Sequence, residues 1–165
     1  MNIHYTIWGL VVLAMAYGLV AGVFLAFSDF VMDSLFASQP AAGTEAMQII
    51  NVKVLRSLFM VLLIGMIPVS VGVAFYAHFL IDRPIAMYLI AGGVLYFFGV
   101  IVVSAVGNIP MNDALGALPQ GGAEAQAYWP SYVKGWVLWN HLRWIAALGT
   151  ATCYAIGAVL MALSA

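Results

Sequence analysis

Long apolar stretches alternate with shorter polar ones along the chain. The four apolar stretches are residues 7–27, 58–80, 85–106 and 136–163. Each has about the 20 residues that a helix needs to cross the hydrocarbon of a bilayer, or more. The pattern predicts an all-α integral membrane protein, a four-helix bundle that forms a single domain over residues 1–165.

The polar segments between these spans are unequal. Residues 28–46 and 107–135 are predicted to be long loops, whereas residues 81–84 form a tight turn. Residues 45–57 are predicted to form an amphipathic helix that leads into the second span. With four spans, both long loops lie on the same side of the membrane, which we call the long-loop side.

Composition agrees with a membrane location and excludes several classes of function. Hydrophobic residues make up 65% of the chain, charged residues 7%, and mean hydropathy is +1.07, so polar residues are too few to cover a soluble globule. A net charge of −1 offers no basic surface for nucleic acid, and the single Cys153 excludes a disulfide framework. We expect a protein of the bacterial cytoplasmic membrane that contacts membrane lipids, and a homo-oligomer stays open.

Polar and aromatic side chains gather at the long-loop ends of all four spans. Helix ends that close on one another form a pocket between helices, which is a usual place for a small-molecule site. The alternative is that these residues are caps and interfacial side chains of the kind that gather at any membrane border. The candidate site residues are Asp29, Gln48, Asn51, Asn108, Asn112, Trp136, Trp139, Asn140, His141 and Arg143.

The strongest local signal is a polar stripe inside the fourth span. Trp136, Trp139, Asn140 and Arg143 are spaced so that they share one helix face. A polar stripe at membrane depth indicates a functional site, and we expect Asn112, Asn140 and Arg143 to converge with Asp29. Asp29 is either the ion-pair partner of Arg143 or a solvated loop residue.

Three histidines provide further candidate chemistry. His141 is the only imidazole on the long-loop side, which makes it the candidate general base, or else an interfacial residue. His4 and His78 lie near the opposite end of the bundle and could ligate a haem. Pro110 is predicted to break the third span and to open its backbone beside Asn108.

Four ordered motifs resemble those of the anthrone oxygenase-like family of small four-span membrane proteins. They are Phe27-Ser28-Asp29-Phe30-Val31-Met32, Ala46-Met47-Gln48-x-x-Asn51, Asn108-Ile109-Pro110-Met111-Asn112 and Trp136-x-x-Trp139-Asn140-His141-Leu142-Arg143.

The resemblance implies a monooxygenase, because named fungal members oxidise an anthrone to an anthraquinone with O₂ and need no flavin, haem or metal. It implies that His141, or Asp29 as second choice, forms the substrate anion, that Arg143 and the amides hold its oxygen, and that the tryptophans pack on a flat ring system. It further implies that the pocket is lined by Asn108, Asn112, Trp139, Asn140, His141 and Arg143, and closed by Asp29, Gln48 and Asn51.

A second class of function stays open beside this enzyme hypothesis. The same pocket would suit a non-enzymatic membrane module that binds a lipid, a quinone or a partner subunit. A chemical mechanism needs a titrating group near Asn140 and Arg143, whereas a binding module needs only hydrogen-bond donors and an apolar slot. A haem held by His4 and His78 is the alternative to a site without a cofactor.

Overall fold

A computed structural model describes residues 3–164 as a bundle of long helices. These residues contain no strand, and four of the helices are long and apolar enough to cross a membrane, which confirms the predicted all-α membrane fold. The helices are α1 (Ile3–Ala37), α2 (Pro40–Val54), α3 (Leu58–Leu80), α4 (Arg83–Gly116) and α5 (Ala123–Leu163).

The predicted long loops are largely helical, so that part of the prediction is wrong. α1 and α4 continue to Ala37 and Gly116, and the non-helical connections shrink to residues 38–39 and 117–122. α5 has 41 residues. At about 1.5 Å per residue it is roughly 60 Å long, about twice the hydrocarbon thickness. Falling hydropathy therefore marks where the chain leaves the membrane, whereas the helices continue beyond that point.

The helix extensions and α2 form a second packed unit on the long-loop side, which we call the cap. Its core contains Met32, Met47, Leu115, Trp129 and Tyr132, all 0–1% exposed. The cap buries these side chains outside the span region, so its packing explains why the helices continue there. The membrane part has a separate apolar core that includes the edge-to-face ring contacts of Tyr17 with Tyr96 and Tyr154.

Three wide, π-helical turns interrupt α1 and α4. They cover Phe27–Val31 in α1, and Phe97–Val102 and Ser104–Asn108 in α4. In each of them the hydrogen bond that follows reaches five residues back, from the Met32, Val103 and Ile109 amides to the Phe27, Phe98 and Ser104 carbonyls. Such turns are often found at functional sites.

Pro110 does not end the third span. Its ring would meet the carbonyl of Val106 in a regular α-helix. The wide turn directly before it changes the backbone at that point, and α4 continues to Gly116. The sequence correctly predicted that the regular α-helical hydrogen bonding is interrupted here. The interruption is a widened turn within a continuous helix, however, and not the end of the helix.

Gly99 lets α4 approach α5 closely, and we expect Gly99→Ala to lower the free energy of unfolding by about 1–3 kcal/mol. A Cβ at Gly99 would overlap the Cβ of Ala146, which can move only with the backbone of α5. Gly116→Ala is the matched control, because a Cβ there has no heavy atom within 4 Å. The measurement is chemical unfolding of both variants in the same detergent. Equal stability of the two variants would contradict this account of the helix contact.

Candidate functional site

The candidate site lies where α1, α4 and α5 meet at the base of the cap. The Phe24 ring packs edge-on against Phe59, with ring centroids 5.3 Å apart. Phe59 is the second residue of α3, the shortest of the four spans. Because the Arg143 guanidinium lies over the same Phe24 ring, it sits level with the start of α3. The site is therefore near the membrane border on the long-loop side.

Arg143 is at the centre of the site and only 7% exposed. Its Nη2 donates to Asn140 Oδ1 at 2.7 Å, and its Nη1 donates to Ser104 Oγ at 3.5 Å. Its Cζ lies 4.3 Å from the centroid of the Phe24 ring and 5.1 Å from that of Trp136. Both distances are within the range of cation–π attraction. We call Arg143 and these four partners the arginine cage.

Asn140 links the cage to the wide turn of α1. Its Nδ2 donates to the Phe24 carbonyl oxygen and to Ser28 Oγ, both at 2.6 Å, while its Oδ1 accepts from Arg143. The side chain is completely buried. All its hydrogen-bonding groups point into the protein, so Asn140 fixes the guanidinium relative to α1.

Asn108 connects α4 to the same region of α5. Its Nδ2 donates to the Trp136 carbonyl oxygen at 3.0 Å, and the residue is completely buried. Within residues 3–164, neither Asn108 Oδ1 nor Arg143 Nε has a hydrogen-bond partner, although both atoms are buried. Buried polar groups are nearly always partnered, so these two atoms are candidates for ligand contacts.

A second layer holds the Trp136 ring over Arg143. Asn112 Oδ1 accepts from Tyr132 Oη and from Trp136 Nε1, both at 2.8 Å. Asn51 Nδ2 lies 3.5 Å from the same tyrosine hydroxyl, at the limit for a hydrogen bond. Asn112 thus orients a cage residue, and Asn51 contacts the cage only through Tyr132.

Gln48 belongs to the cap and has no direct contact with the cage. Its Nε2 donates to the carbonyl oxygens of Leu115 and Leu118, at 2.8 and 3.1 Å, and its Oε1 accepts from the Gly121 amide at 3.2 Å. Gly121 has a φ of 61°, which favours glycine. Gln48 therefore fastens α2 to the turn between α4 and α5.

Of the two alternatives for Asp29, the structure shows a solvated residue and no ion pair with Arg143, so the predicted convergence does not include it. The Asp29 side chain is exposed, and the polar partners of Arg143 are Asn140 and Ser104. The wide turn explains the difference, because it directs Ser28 towards Asn140 and leaves the next residue outside. Asn112, Asn140 and Arg143 do belong to one connected set of contacts.

His141 and Trp139 flank the cage. His141 is half-buried, and its Nδ1 accepts a hydrogen bond from Trp144 Nε1 at 2.9 Å. The lone pair of Nδ1, which would accept a proton from a substrate, is therefore already used in this hydrogen bond. The Trp139 indole packs so closely on Gly107 that a Cβ there would overlap its ring.

His4 and His78 are exposed, and His78 packs edge-on against Phe79. A haem between these histidines stays a prediction. No group of three or more His, Cys, Asp or Glu side chains that could hold a metal ion occurs within residues 3–164.

The cage is packed rather than open. A groove of about 240 Å³ lies elsewhere, between α3 and α4, where Ile67, Val71, Gly93 and Phe97 are among its lining residues. None of the cage residues lines this groove. A ligand at Arg143 therefore requires side chains at the edge of the cage to move.

Three residues of the site were not predicted: Phe24, Ser104 and Tyr132. Each lies four residues before a polar or aromatic site residue, namely Ser28, Asn108 and Trp136, which places each pair on one helix face. This spacing could have identified them. Tyr132 and Ser104 were missed because α5 was expected to begin at residue 136 and α4 to carry its polar groups only after residue 106.

Comparison with known proteins agrees with the resemblance noted in the motifs. The sequence model of the anthrone oxygenase family matches residues 56–153, more than half of the chain. The match includes the third and fourth motifs, with Asn108, Asn112, Asn140 and Arg143, whereas the first two motifs precede it. No curated protein sequence and no solved structure matches the chain. The match over residues 56–153 shows that the chain belongs to the anthrone oxygenase family.

Proposed function

We propose that this protein is a membrane oxygenase that oxidises a hydrophobic aromatic substrate with O₂ at the arginine cage, in the bacterial cytoplasmic membrane. Family membership supports an oxygenase-like role. The observation that carries the proposal is the buried guanidinium of Arg143 between the Phe24 and Trp136 rings. A buried cation at a membrane border is costly, which favours a functional role for it.

The substrate that fits this site is a flat ring ketone with an acidic methylene group, such as an anthrone. Phe24 and Trp136 offer aromatic surfaces on which such a ring system packs. The depth of the cage, level with the start of α3, suits a molecule that partitions into the bilayer. The ketone oxygen is then the atom for which the cage supplies hydrogen-bond donors.

The proposed reaction needs no metal, flavin or haem. The methylene loses one proton and gives a delocalised anion, which transfers electrons to O₂ and forms a new C–O bond. Protonation gives a hydroperoxide at that carbon. Loss of the second C–H proton and cleavage of the O–O bond release water and leave a carbonyl. In sum, one CH₂ group and one O₂ give one C=O group and one H₂O.

Arg143 stabilises the negative oxygen of the substrate anion in this scheme. A preorganised donor in a site with little water contributes most where charge develops. Asn140 keeps the guanidinium in place through the 2.7 Å bond to Nη2, and Nε stays available to the substrate. These contacts lower the free energy of the anion and thereby speed its formation.

Asp29 is the residue to which we assign the first proton. Of the two groups expected as the base, His141 already uses Nδ1 to accept from Trp144. Asp29 follows Ser28, whose hydroxyl bonds Asn140, and its exposed carboxylate makes no hydrogen bond or ion pair with residues 3–164. Both of its oxygens are therefore free to accept a proton, and in this scheme the methylene of the substrate lies outside the buried cage, on the Asp29 side.

Asp29→Asn is expected to lower anthrone-dependent O₂ consumption by about 10²-fold, the usual effect of losing a general base. Asp33→Asn is the matched control, since Asp33 is also an exposed carboxylate of α1, and its rate should not change. His141→Gln should stay within a few-fold of the wild-type rate. Initial rates are measured in detergent after subtracting the protein-free oxidation. A large loss in His141→Gln with none in Asp29→Asn would transfer the base role to His141.

The second candidate function is a binding module for a lipid, a quinone or a partner subunit. The observation that favours it is that, within residues 3–164, none of the side chains that hydrogen-bond to Arg143 or stack on it is an acid or base. Purified protein that retains a stoichiometric lipid or quinone and consumes no O₂ with anthrone would support this candidate.

A further inference from the structure

The positive charge of Arg143 has no negative partner among residues 3–164. All six acidic residues of the chain have exposed side chains, whereas Arg143 is 93% buried. Its contacts are an amide oxygen, a hydroxyl and two aromatic rings. The cage therefore carries an uncompensated charge of +1.

Such an arrangement is unusual, because buried charges are normally paired with an opposite charge. The Asn140 oxygen and the two rings supply only partial negative charge. Asn140 and Ser104 accept from the two terminal nitrogens, which leaves Nε as a buried donor without a partner within residues 3–164. The guanidinium therefore lacks both an acceptor for its Nε hydrogen and a negatively charged partner, and one anionic ligand atom at Nε would supply both.

We propose that the cage holds its ligand as an organic anion, with an oxyanion of the ligand accepting from Arg143 Nε and serving as the counter-charge of the guanidinium. This inference rests on the proposed function, in which the ligand is the ionised substrate. It adds that the cage binds the anionic form of the ligand more tightly than a neutral form, before any reaction with O₂. The flanking rings of Phe24 and Trp136 favour a planar aromatic anion over an aliphatic one.

The test compares two probes of nearly the same shape, 2-naphthoate and its methyl ester, by quenching of tryptophan fluorescence in one detergent. Affinities are corrected for the partition of each probe into protein-free micelles. We expect wild-type protein to bind the carboxylate at least tenfold more tightly than the ester. No preference, or a preference for the ester, would overturn the inference.

Three variants assign that preference to the cage. Arg143→Gln removes the cation, and Asn140→Asp places a carboxylate beside the guanidinium, so both neutralise the cage and should abolish the preference. Lys134→Gln, which removes an exposed cation of the same helix, should retain it. The assignment to the cage would be contradicted if both cage variants still preferred the carboxylate, or if Lys134→Gln lost that preference. Thermal stability provides a second measurement. Naphthoate should raise the melting temperature of the wild-type protein but not that of either cage variant.

The source of the anion is tested with palmitate as a competitor. Palmitate should displace naphthoate poorly. Displacement by an equal concentration of palmitate would indicate that the cage binds a lipid carboxylate, and would overturn the inference that its ligand is a planar aromatic anion. The outcome also separates this inference from the oxygenase proposal. If the protein prefers the anion but consumes no O₂, the inference stands and the oxygenase proposal fails. If it consumes O₂ but does not prefer the anion, the oxygenase proposal stands and the inference fails.

Discussion

We expect Arg143→Gln to lower kcat/KM for anthrone-dependent O₂ consumption by about 10³-fold, the upper range for loss of one oxyanion-stabilising donor. Glutamine retains hydrogen-bonding groups but loses the charge. The side chain is also too short to bring a donor to the position of Nε between the Phe24 and Trp136 rings. The loss should appear in kcat as well as in KM, because the developing negative charge is greatest in the transition state.

Two further variants of α5 serve as controls for this result. Lys134→Gln removes a charge from an exposed position and should leave the rate unchanged. Arg143→Lys retains a cation but cannot donate to Asn140 and to the substrate in the fixed geometry of a guanidinium, so an intermediate rate is expected. A rate of Arg143→Gln within a few-fold of wild type, in folded protein, would remove Arg143 from the chemistry.

Asn112→Leu is expected to cause the largest loss of stability, about 2–6 kcal/mol in the free energy of unfolding. The change leaves Tyr132 Oη and Trp136 Nε1 without the oxygen that accepts from both at 2.8 Å. Tyr132 and Trp136 are buried, and each unpartnered buried donor costs about 1–3 kcal/mol. The measurement is chemical unfolding in detergent, followed by circular dichroism.

Asn51→Leu is the control for that prediction. Its Nδ2 lies 3.5 Å from the Tyr132 hydroxyl, which is too long for a strong bond, so we expect a loss below about 1 kcal/mol. Adding Tyr132→Phe to Asn112→Leu removes one of the two unpartnered donors and should restore part of the stability. Similar losses in Asn51→Leu and Asn112→Leu would show that the acceptor role of Asn112 contributes little.

The fold was predictable from hydropathy because each span has a long apolar segment, as in residues 58–80, which agree with α3. The cap was not predictable in the same way. Its helices are only moderately apolar and are stabilised by packing of Met32, Met47 and Trp129 from three separate segments. Such contacts between distant parts of the chain leave no periodic signal in any one segment.

The candidate site was predictable where a single helix carries its residues. Trp136, Asn140 and Arg143 share a face of α5, and periodicity was sufficient to bring them together. The position of Asp29 was not predictable, because it depends on the wide turn at Phe27–Val31, which rotates the following side chains relative to a regular helix. The role of Gln48 was missed for a different reason, since its partners are backbone groups of a turn about 70 residues away, between Leu115 and Gly121.

The stoichiometry of O₂ consumption by purified wild-type protein tests the central claim most directly. Detergent-purified protein with its metal and chromophore content determined is given anthrone, and O₂ uptake and anthraquinone are measured together after subtraction of the protein-free reaction. The account predicts one O₂ consumed per anthraquinone formed, at a rate proportional to protein, and loss of that rate in Arg143→Gln but not in Lys134→Gln. No uptake above the protein-free rate, or uptake that tracks a stoichiometric haem or metal, would contradict it.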